Sequence, residues 1–428
     1  MKPFFTSLTA SIFFAALASA QSPYSLIDLG VLPAPSQPYS LSDNLLIGGA
    51  SALAGNTEHA TLWAIPLAMQ LDIGRPGLGG PNSVAYAVNE KAQLAGGAET
   101  STPDPNGEDF CGFNAQGLTS SGACLPFVWQ AGSMTPLPTL GGNNGEVSWI
   151  NKTSEMAGTA ENTVQDPACP APQRFQFKPV TWQNGKIQEL PTYPGDPDGF
   201  AYAVNDNGDV AGQSGTCAAF NPNTGSYLQS LHAVLWQAGV PTDLGNLGGD
   251  GQGGGIGAMA LNNHDQVVGL SDLPGDTAFH AFLWAKGTGM QDLGTLPGGV
   301  ASGAIGINDS GEVIGVSLDA NFNPHPFVWQ NGAMSDLNTM IPASSPMLAL
   351  LACAINSSGW IVGYAVDKQT GDMHGYLAVP YSNLSPSQKA AHAEADAKDP
   401  VALSDEARRL LQQGTRRGRF GARLPATP

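Results

Sequence analysis

Six times in this chain an Asn is followed seven residues later by a Gly, and a Trp-bearing segment comes next. The pairs are Asn89/Gly96, Asn151/Gly158, Asn205/Gly212, Asn262/Gly269, Asn308/Gly315 and Asn356/Gly363. The Trps that follow are Trp129, Trp182, Trp236, Trp284 and Trp329, with Ala378 in the sixth place; an earlier, degenerate unit ends at Trp63. Units this small cannot bury an apolar face alone and must stack on their neighbours, so the repeat decides the architecture before any single residue is weighed.

The unit from Ala304 to Leu337 shows the construction. Ile305 and Ile307 alternate with small residues, Asn308-Asp309-Ser310-Gly311 is a turn, and Val313 to Val316 is a second strand. His325 to Trp329 is a third strand, Asn331-Gly332 a second hairpin turn, and Met334 to Leu337 a fourth. Asn and Gly supply the positive φ of such turns at low steric cost. Four short antiparallel strands in about 45 residues is the repeat of a β-propeller blade. The last unit stops at Pro380 without a fourth strand, and the missing pattern stands at the other end as Leu26-Ile27-Asp28-Leu29-Gly30. The sequence therefore predicts an all-β, seven-bladed β-propeller of four-stranded blades, closed by residues 24–31 completing the last blade.

Composition bounds the rest. Residues 21–380 hold 30 Asp and Glu against 8 Lys and Arg, and an acidic body repels phosphate backbones, which excludes nucleic acid as a partner. Residues 1–20 read as a secretory signal, with Lys2, an apolar core from Ile12 to Leu17, and Ala18-Ser19-Ala20 before Gln21. No later stretch is long and apolar enough to span a bilayer, so a secreted, periplasmic or cell-surface product is expected. In that oxidising setting Cys111 and Cys124, close together in one insertion, form the most natural disulfide. Cys169 and Cys217 occupy equivalent insertions of the next two units, so a bridge between neighbours is the second expectation. Cys353, in the apolar run LLACAI, reads as a small buried residue. No C-x-x-C pair exists, and metal binding by these Cys is not expected.

His280-Ala281-Phe282-Leu283-Trp284, together with the AxxIN-x-x-G-x-VVG and DLG-x-L-x-GG segments, resembles the HAF-repeat family of extracellular bacterial proteins. The resemblance covers roughly residues 24–380. It implies an exported repeat protein, and it brings no catalytic residues with it. Leu125 and Lys178 depart from the pattern where the His would stand, and the first unit lacks the Asn.

Propellers place the second-to-third strand connections on one face and the tight hairpins on the other. The Gly-to-Trp spacing is 14 or 15 residues from Gly48, Gly269 and Gly315, and from Gly363 to Ala378, but 33 from Gly96 and 24 from Gly158 and Gly212. Three consecutive blades therefore carry insertions on one face, at 98–124, 160–178 and 213–231, and ligand contacts are expected there. The acidic residues Asp104, Glu108, Asp109 and Asp166 are its ligand-face candidates.

The repeated His59, His232, His280, His325 and His374 stand four residues before the Trp position. Symmetry keeps them on separate blades, whereas metal ligands must converge within about 2 Å of one ion, so they read as blade-building residues. The Asn205-Asp206-Asn207-Gly208-Asp209 turn is too short for a calcium loop. Trp149, in an innermost strand, and Trp360 fall outside the repeated Trp position. No HExxH, GxSxG or P-loop occurs, and no catalytic residue, cofactor or metal site is expected.

After Pro380, Ser385-Pro386 starts a helix through KAAHAEADAK, EARRLLQQ suggests a second, and TRRGRFGARLPATP is basic and reads as a disordered tail suited to an anionic surface. The domain reading is a signal at 1–20, the propeller at 21–380 and a tail at 381–428. The functional expectation is an exported, non-catalytic propeller that binds an extracellular protein or glycan through its inserted face. The alternative is a carbohydrate-active hydrolase or lyase on that face, which would show clustered carboxylates of perturbed pKa.

Overall fold

The structure is a computed structural model, and it describes residues 22–30, 36–53, 55–114, 117–221, 226–251, 255–404 and 407–408. The signal-like residues 1–20, the basic segment 415–428 and most of the second expected helix lie outside them. Among the described residues, 28 strands form seven four-stranded antiparallel sheets. Six sheets run in chain order, as in blade 5: Ile256–Leu261, Val267–Asp272, Phe279–Ala285 and Gly289–Asp292. First strands touch first strands all the way round, so they form the innermost ring. Blade 7 takes its outer strand from the N-terminus: Tyr24–Asp28 pairs with Met373–Pro380, from Tyr24 opposite Pro380 to Asp28 opposite Tyr376. This is the seven-bladed propeller the repeat predicts.

Glycine holds its place in the beat for a steric reason. Each innermost strand shifts register near this Gly, for example between Ala258 and Ala260, and the bulge turns a carbonyl toward the second strand. A Cβ at Gly269 would stand 1.9 Å from the Gly257 oxygen, and one at Gly96 1.9 Å from that of Val84. In blade 1 the residue in this position is Gly49, where a Cβ would stand 2.1 Å from the Gln37 oxygen. Gly48, from which the Gly-to-Trp spacing of this unit is counted, is its neighbour. Gly49 lies seven residues after Ser42, so the beat is sevenfold with Ser in the place of one Asn.

The Asn residues stitch the blades together. Each Oδ1 accepts amides of its own turn, as Asn262 does from His264 and Gln266, both at 3.0 Å. Each Nδ2 reaches the backbone carbonyl of the next Asn: Asn89 to Asn151 at 3.1 Å, Asn151 to Asn205 at 2.8 Å and Asn205 to Asn262 at 3.2 Å. Asn262 to Asn308 and Asn308 to Asn356 follow, both at 3.1 Å. These Asn side chains are buried, so a lost partner is not replaced by water. The next residue along makes a second ring on the same face. The amides of Lys152, Asp206 and Asn263 donate to the side chains of Asp206, Asn263 and Asp309. Lys152 also extends its ammonium to Asp43, 3.2 Å away. The hairpin face is a stitched hub.

Apolar packing fills the space between blades. Trp182 and Trp236 are fully buried and donate their indole N–H to Pro138 and Pro191 carbonyls of the preceding blade. Trp149 packs into the cores on both sides of blade 4, and Trp360 packs beside the blade 7 and blade 1 junction. Beyond the ring, Ser385 caps the helix Pro386–Asp396 through a capping box with Gln388. That helix holds the N-terminus: Asp396 accepts from the Ser22 hydroxyl at 2.6 Å and amide at 3.2 Å, and buried His392 Nε2 meets the Ser22 carbonyl at 2.9 Å. None of the described helices is long and apolar enough to cross a membrane.

Candidate functional site

The inserted face is lopsided. In blade 4 the second and third strands, Val210–Asn221 and Ser226–Gln237, have 12 residues each, against 6 and 7 in blade 5. At about 3.3 Å per residue the extra length raises the hairpin by roughly 15–20 Å. Much of the inserted sequence thus lengthens strands instead of forming loops. In blade 2 the connection 104–121 reaches back to blade 1, where Thr119 donates to the Asn56 carbonyl at 2.9 Å. It also reaches sideways, since Phe110 packs both beside Phe113 in blade 2 and among Phe177, Cys217 and Leu228 of blades 3 and 4. Blades 2 to 4 carry a continuous wall. Blades 5, 6 and 7 keep short connections and form a low rim across the axis.

Two disulfides staple the wall, Cys111–Cys124 within blade 2 and Cys169–Cys217 between blades 3 and 4. Both match the sequence expectation. Cys353 carries a free thiol, which burial pushes up to about 12.

Inside the wall, carboxyl groups gather on one amide. Asn144 Nδ2 donates to Asp104 at 2.9 Å, Glu108 at 2.8 Å and Glu161 at 3.1 Å. Gln173 donates to the other Glu161 oxygen at 2.7 Å, and the Arg174 amide to Glu108 at 3.0 Å. Asp104, Glu108, Asn144, Glu161 and Gln173 are all buried. Burial, then a hydrogen bond and repulsion from Glu108, push Glu161 up to about 9, and burial raises Glu108 as well. The two act as one pair that retains a proton at neutral pH. A second acid pair lies at the base of the wall. Burial pushes Asp198 up to about 8; the Phe177 amide opposes that and the neighbouring Asp166 reinforces it. In the third strand of blade 1, Thr57–Ala64, burial pushes Glu58 up to about 8.

The four acidic candidates therefore have different surroundings. Asp104 and Glu108 meet in the Asn144 cluster, Asp166 sits apart beside Asp198, and Asp109 accepts the Asn114 amide at 3.1 Å on a turn. Three of the four are buried. Asn144, Glu161, Gln173 and Asp198 were not singled out by sequence. One signal was available: Glu99, Glu161 and Asp272 each stand three residues after the repeated Gly, and each takes a bond from a residue 17 positions earlier, at or just before the innermost strand of its own blade.

The His residues stay apart, one per blade. Each places Nδ1 on a carboxylate: His59 on Asp72, His280 on Asp292, His325 on Asp336 and His374 on Asp28. The same Asp turns the chain by accepting the amide two residues on, as Asp292 does from Gly294 at 2.7 Å. His232 differs, bonding Asp196 at 2.8 Å. Ser214 stands opposite His232 in the strand register and donates to the same Asp196 oxygen at 2.6 Å. This is no nucleophile and base. The hydroxyl is fully buried, the carboxylate lies between it and the imidazole, and Ser271 and Ser317 stand opposite His280 and His325 in the same way.

The low rim carries half-buried Asp276 in the blade 5 connection, half-buried Asp319 and Asp367 ending the second strands of blades 6 and 7, and exposed Asp372 in the blade 7 connection. At Asp319 burial raises the pKa, but the Asn323 side chain and amide and the Asn321 amide outweigh it, and the group stays below its ordinary value. At Asp367 burial is likewise outweighed, by the Thr370 and Gln369 amides. Both remain fully ionised at neutral pH.

No protein-family model and no curated protein matches this sequence. Solved structures do. The β-propeller domain of the Trilobed protease from Pyrococcus furiosus is similar at 10% identity and TM-score 0.42, over 70% of this chain and 80% of that one. Pyrococcus horikoshii acylaminoacyl peptidase matches at 10% identity and TM-score 0.44, over 80% of this chain and 51% of that one. Porphyromonas gingivalis dipeptidyl peptidase 4 matches at 10% and 0.44, over 87% and 53%. The chain spans about half the length of these two peptidases. Likeness at this level shows the fold alone.

The expected non-catalytic binding scaffold is corrected at this point: the inserted face carries the clustered carboxyls of raised proton affinity that such a scaffold was expected to lack.

Proposed function

We propose that this chain is a peptidase-related propeller that receives cationic peptide segments on its inserted face and presents them to hydrolytic machinery. The observation that supports it is the low rim. Asp276, Asp319 and Asp367 stand across the axis from a rigid stapled wall, on a body with 30 acidic and 8 basic residues between 21 and 380. Such a field attracts cations and concentrates them at the rim. The peptide class is taken over from the peptidases named above as part of the proposal. Secretion also belongs to it, supported by the signal pattern of residues 1–20 and by two disulfides. Membership of the HAF-repeat group rests on the sequence motifs, and contact of the basic tail with an anionic surface rests on its charge.

The experiment is a selection from a random peptide library with the intact protein, followed by mass spectrometry of the retained peptides with and without a co-purified hydrolase. Enrichment of Lys- and Arg-bearing peptides, lost above about 0.5 M salt where the Debye length is short, is the expected result. Enrichment of acidic peptides, or no enrichment, overturns the reading.

A further inference from the structure

The base of the wall brings together more donor atoms than a staple needs. Cys169 lies in the turn 166–174 of blade 3, Cys217 in the lengthened second strand of blade 4, and Asp198 opens the innermost strand of blade 4. The two Sγ atoms and a carboxylate oxygen of Asp198 all lie within 4.8 Å of one another. Asp198 is fully buried; its Oδ1 accepts the Phe177 amide at 3.0 Å and its Oδ2 has no hydrogen-bond partner. Asp166, also buried, presents its Oδ2 beside it, and the two Oδ2 atoms have no partner beyond the other acid. A disulfide is neutral and makes no use of two carboxyl groups, which burial disfavours unless something pairs them.

We propose that this is a redox-gated metal site: with the Cys169–Cys217 bridge reduced, both sulfurs and Asp198 bind one Zn²⁺ or a similar borderline-soft divalent ion. Two thiolates with one carboxylate are a donor set that suits such ions, and three protein ligands leave a fourth tetrahedral position. Asp166 is placed to orient Asp198 as a carboxylate partner outside the ligands.

The steps balance. Two small thiols reduce the bridge, giving two Cys thiols and one external disulfide. The ion then displaces both thiol protons, and Asp198 binds it as the carboxylate. Lys178, whose ammonium meets the Pro197 carbonyl beside Asp198, offsets part of the remaining negative charge.

The test uses the full chain reduced with a water-soluble phosphine, which takes up the oxygen of one water as each bridge becomes two thiols. Zn²⁺ is titrated against a chromophoric chelator, and bound ions are counted by native mass spectrometry. The expected result is one ion per chain after reduction and none before. Cys169→Ser should abolish binding, and Asp198→Asn, which keeps size and the Phe177 contact, should weaken it at least tenfold with unchanged circular dichroism. A Cys111→Ser/Cys124→Ser double variant should bind as the parent does. No ion on the reduced chain, undiminished binding by Asp198→Asn, or binding that follows Cys111 and Cys124 overturns the proposal.

Discussion

Asn356 Nδ2 donates to the backbone carbonyl of Ser42 at 3.4 Å, across 314 residues of chain. It is the longest bond of the carboxamide ring, and it falls where the chain's two ends meet. Ser42 has no carboxamide to pass the ring on to Asn89; Asn44 Nδ2 instead bonds the Glu90 carbonyl at 3.0 Å, bridging blades 1 and 2. Closure thus rests on a side chain two residues out of place in one blade and on the swapped strand Tyr24–Asp28 in another.

Breaking the ring within a regular blade should be costly. Asn262→Ala removes donors to Asn308 and Gln266 and an acceptor for two amides. At about 1 kcal/mol for each net bond, a loss of roughly 2–4 kcal/mol is expected in urea unfolding. A change under about 0.5 kcal/mol would show that the ring is decorative.

The repeated Gly should be less replaceable still. Gly269→Ala sets a methyl 1.9 Å from a backbone oxygen held by the bulge, so blade 5 must shift. A loss above about 3 kcal/mol, or failure to fold, is expected from overpacking against backbone. Thermal melting measures it.

Stability should fall as the solution turns alkaline. Asp198 and Glu58 at about 8, and Glu161 at about 9, retain protons in the folded state that the unfolded chain releases near pH 4. Between those limits the folded state binds more protons, so unfolding becomes easier as pH rises, and the trend levels off above about 9. The window is therefore about pH 4 to 9, with the advantage on its acid side. Urea midpoints across that range should show it, and Glu161→Gln should flatten the slope.

The helix that follows the ring should protect its closing strand. His392→Ala with Asp396→Ala removes the bonds to Ser22 while leaving every blade residue in place. Amide exchange over Tyr24–Asp28 is expected to speed up, with blades 2 to 5 unchanged. Equal protection in parent and variant would mean that the helix contributes nothing to closure.

The staples should differ in weight. They span 13 and 48 residues, and loop entropy assigns about 3 and about 4 kcal/mol to the two bridges. Replacing Cys169 and Cys217 with Ser should therefore destabilise the chain more than replacing Cys111 and Cys124, as measured by urea unfolding.

What the sequence made legible follows the repeat. The blades, the displaced strand and both disulfides were readable because each recurs at equivalent places or sits in matched insertions. Gly49 was passed over for Gly48 because Ser42 hid the beat that would have fixed the register. The carboxyl cluster was not legible because its partners are far apart in sequence: Asp104 meets Asn144 across 40 residues and Glu108 meets the Arg174 amide across 66. No local spacing announces such a meeting. Glu161 alone sat on a repeated position, three residues after Gly158, where two sister units also carry an acid.

The working-face claim is tested most directly by hydrogen-exchange mass spectrometry of the protein with and without a Lys-rich peptide. Slower exchange in the wall connection 104–121 and in the rim connections 273–278, 320–323 and 368–372 is the expected result. Slower exchange confined to the hairpin turns around residues 42–45, 151–155 and 308–312, or no change at any segment, would contradict it.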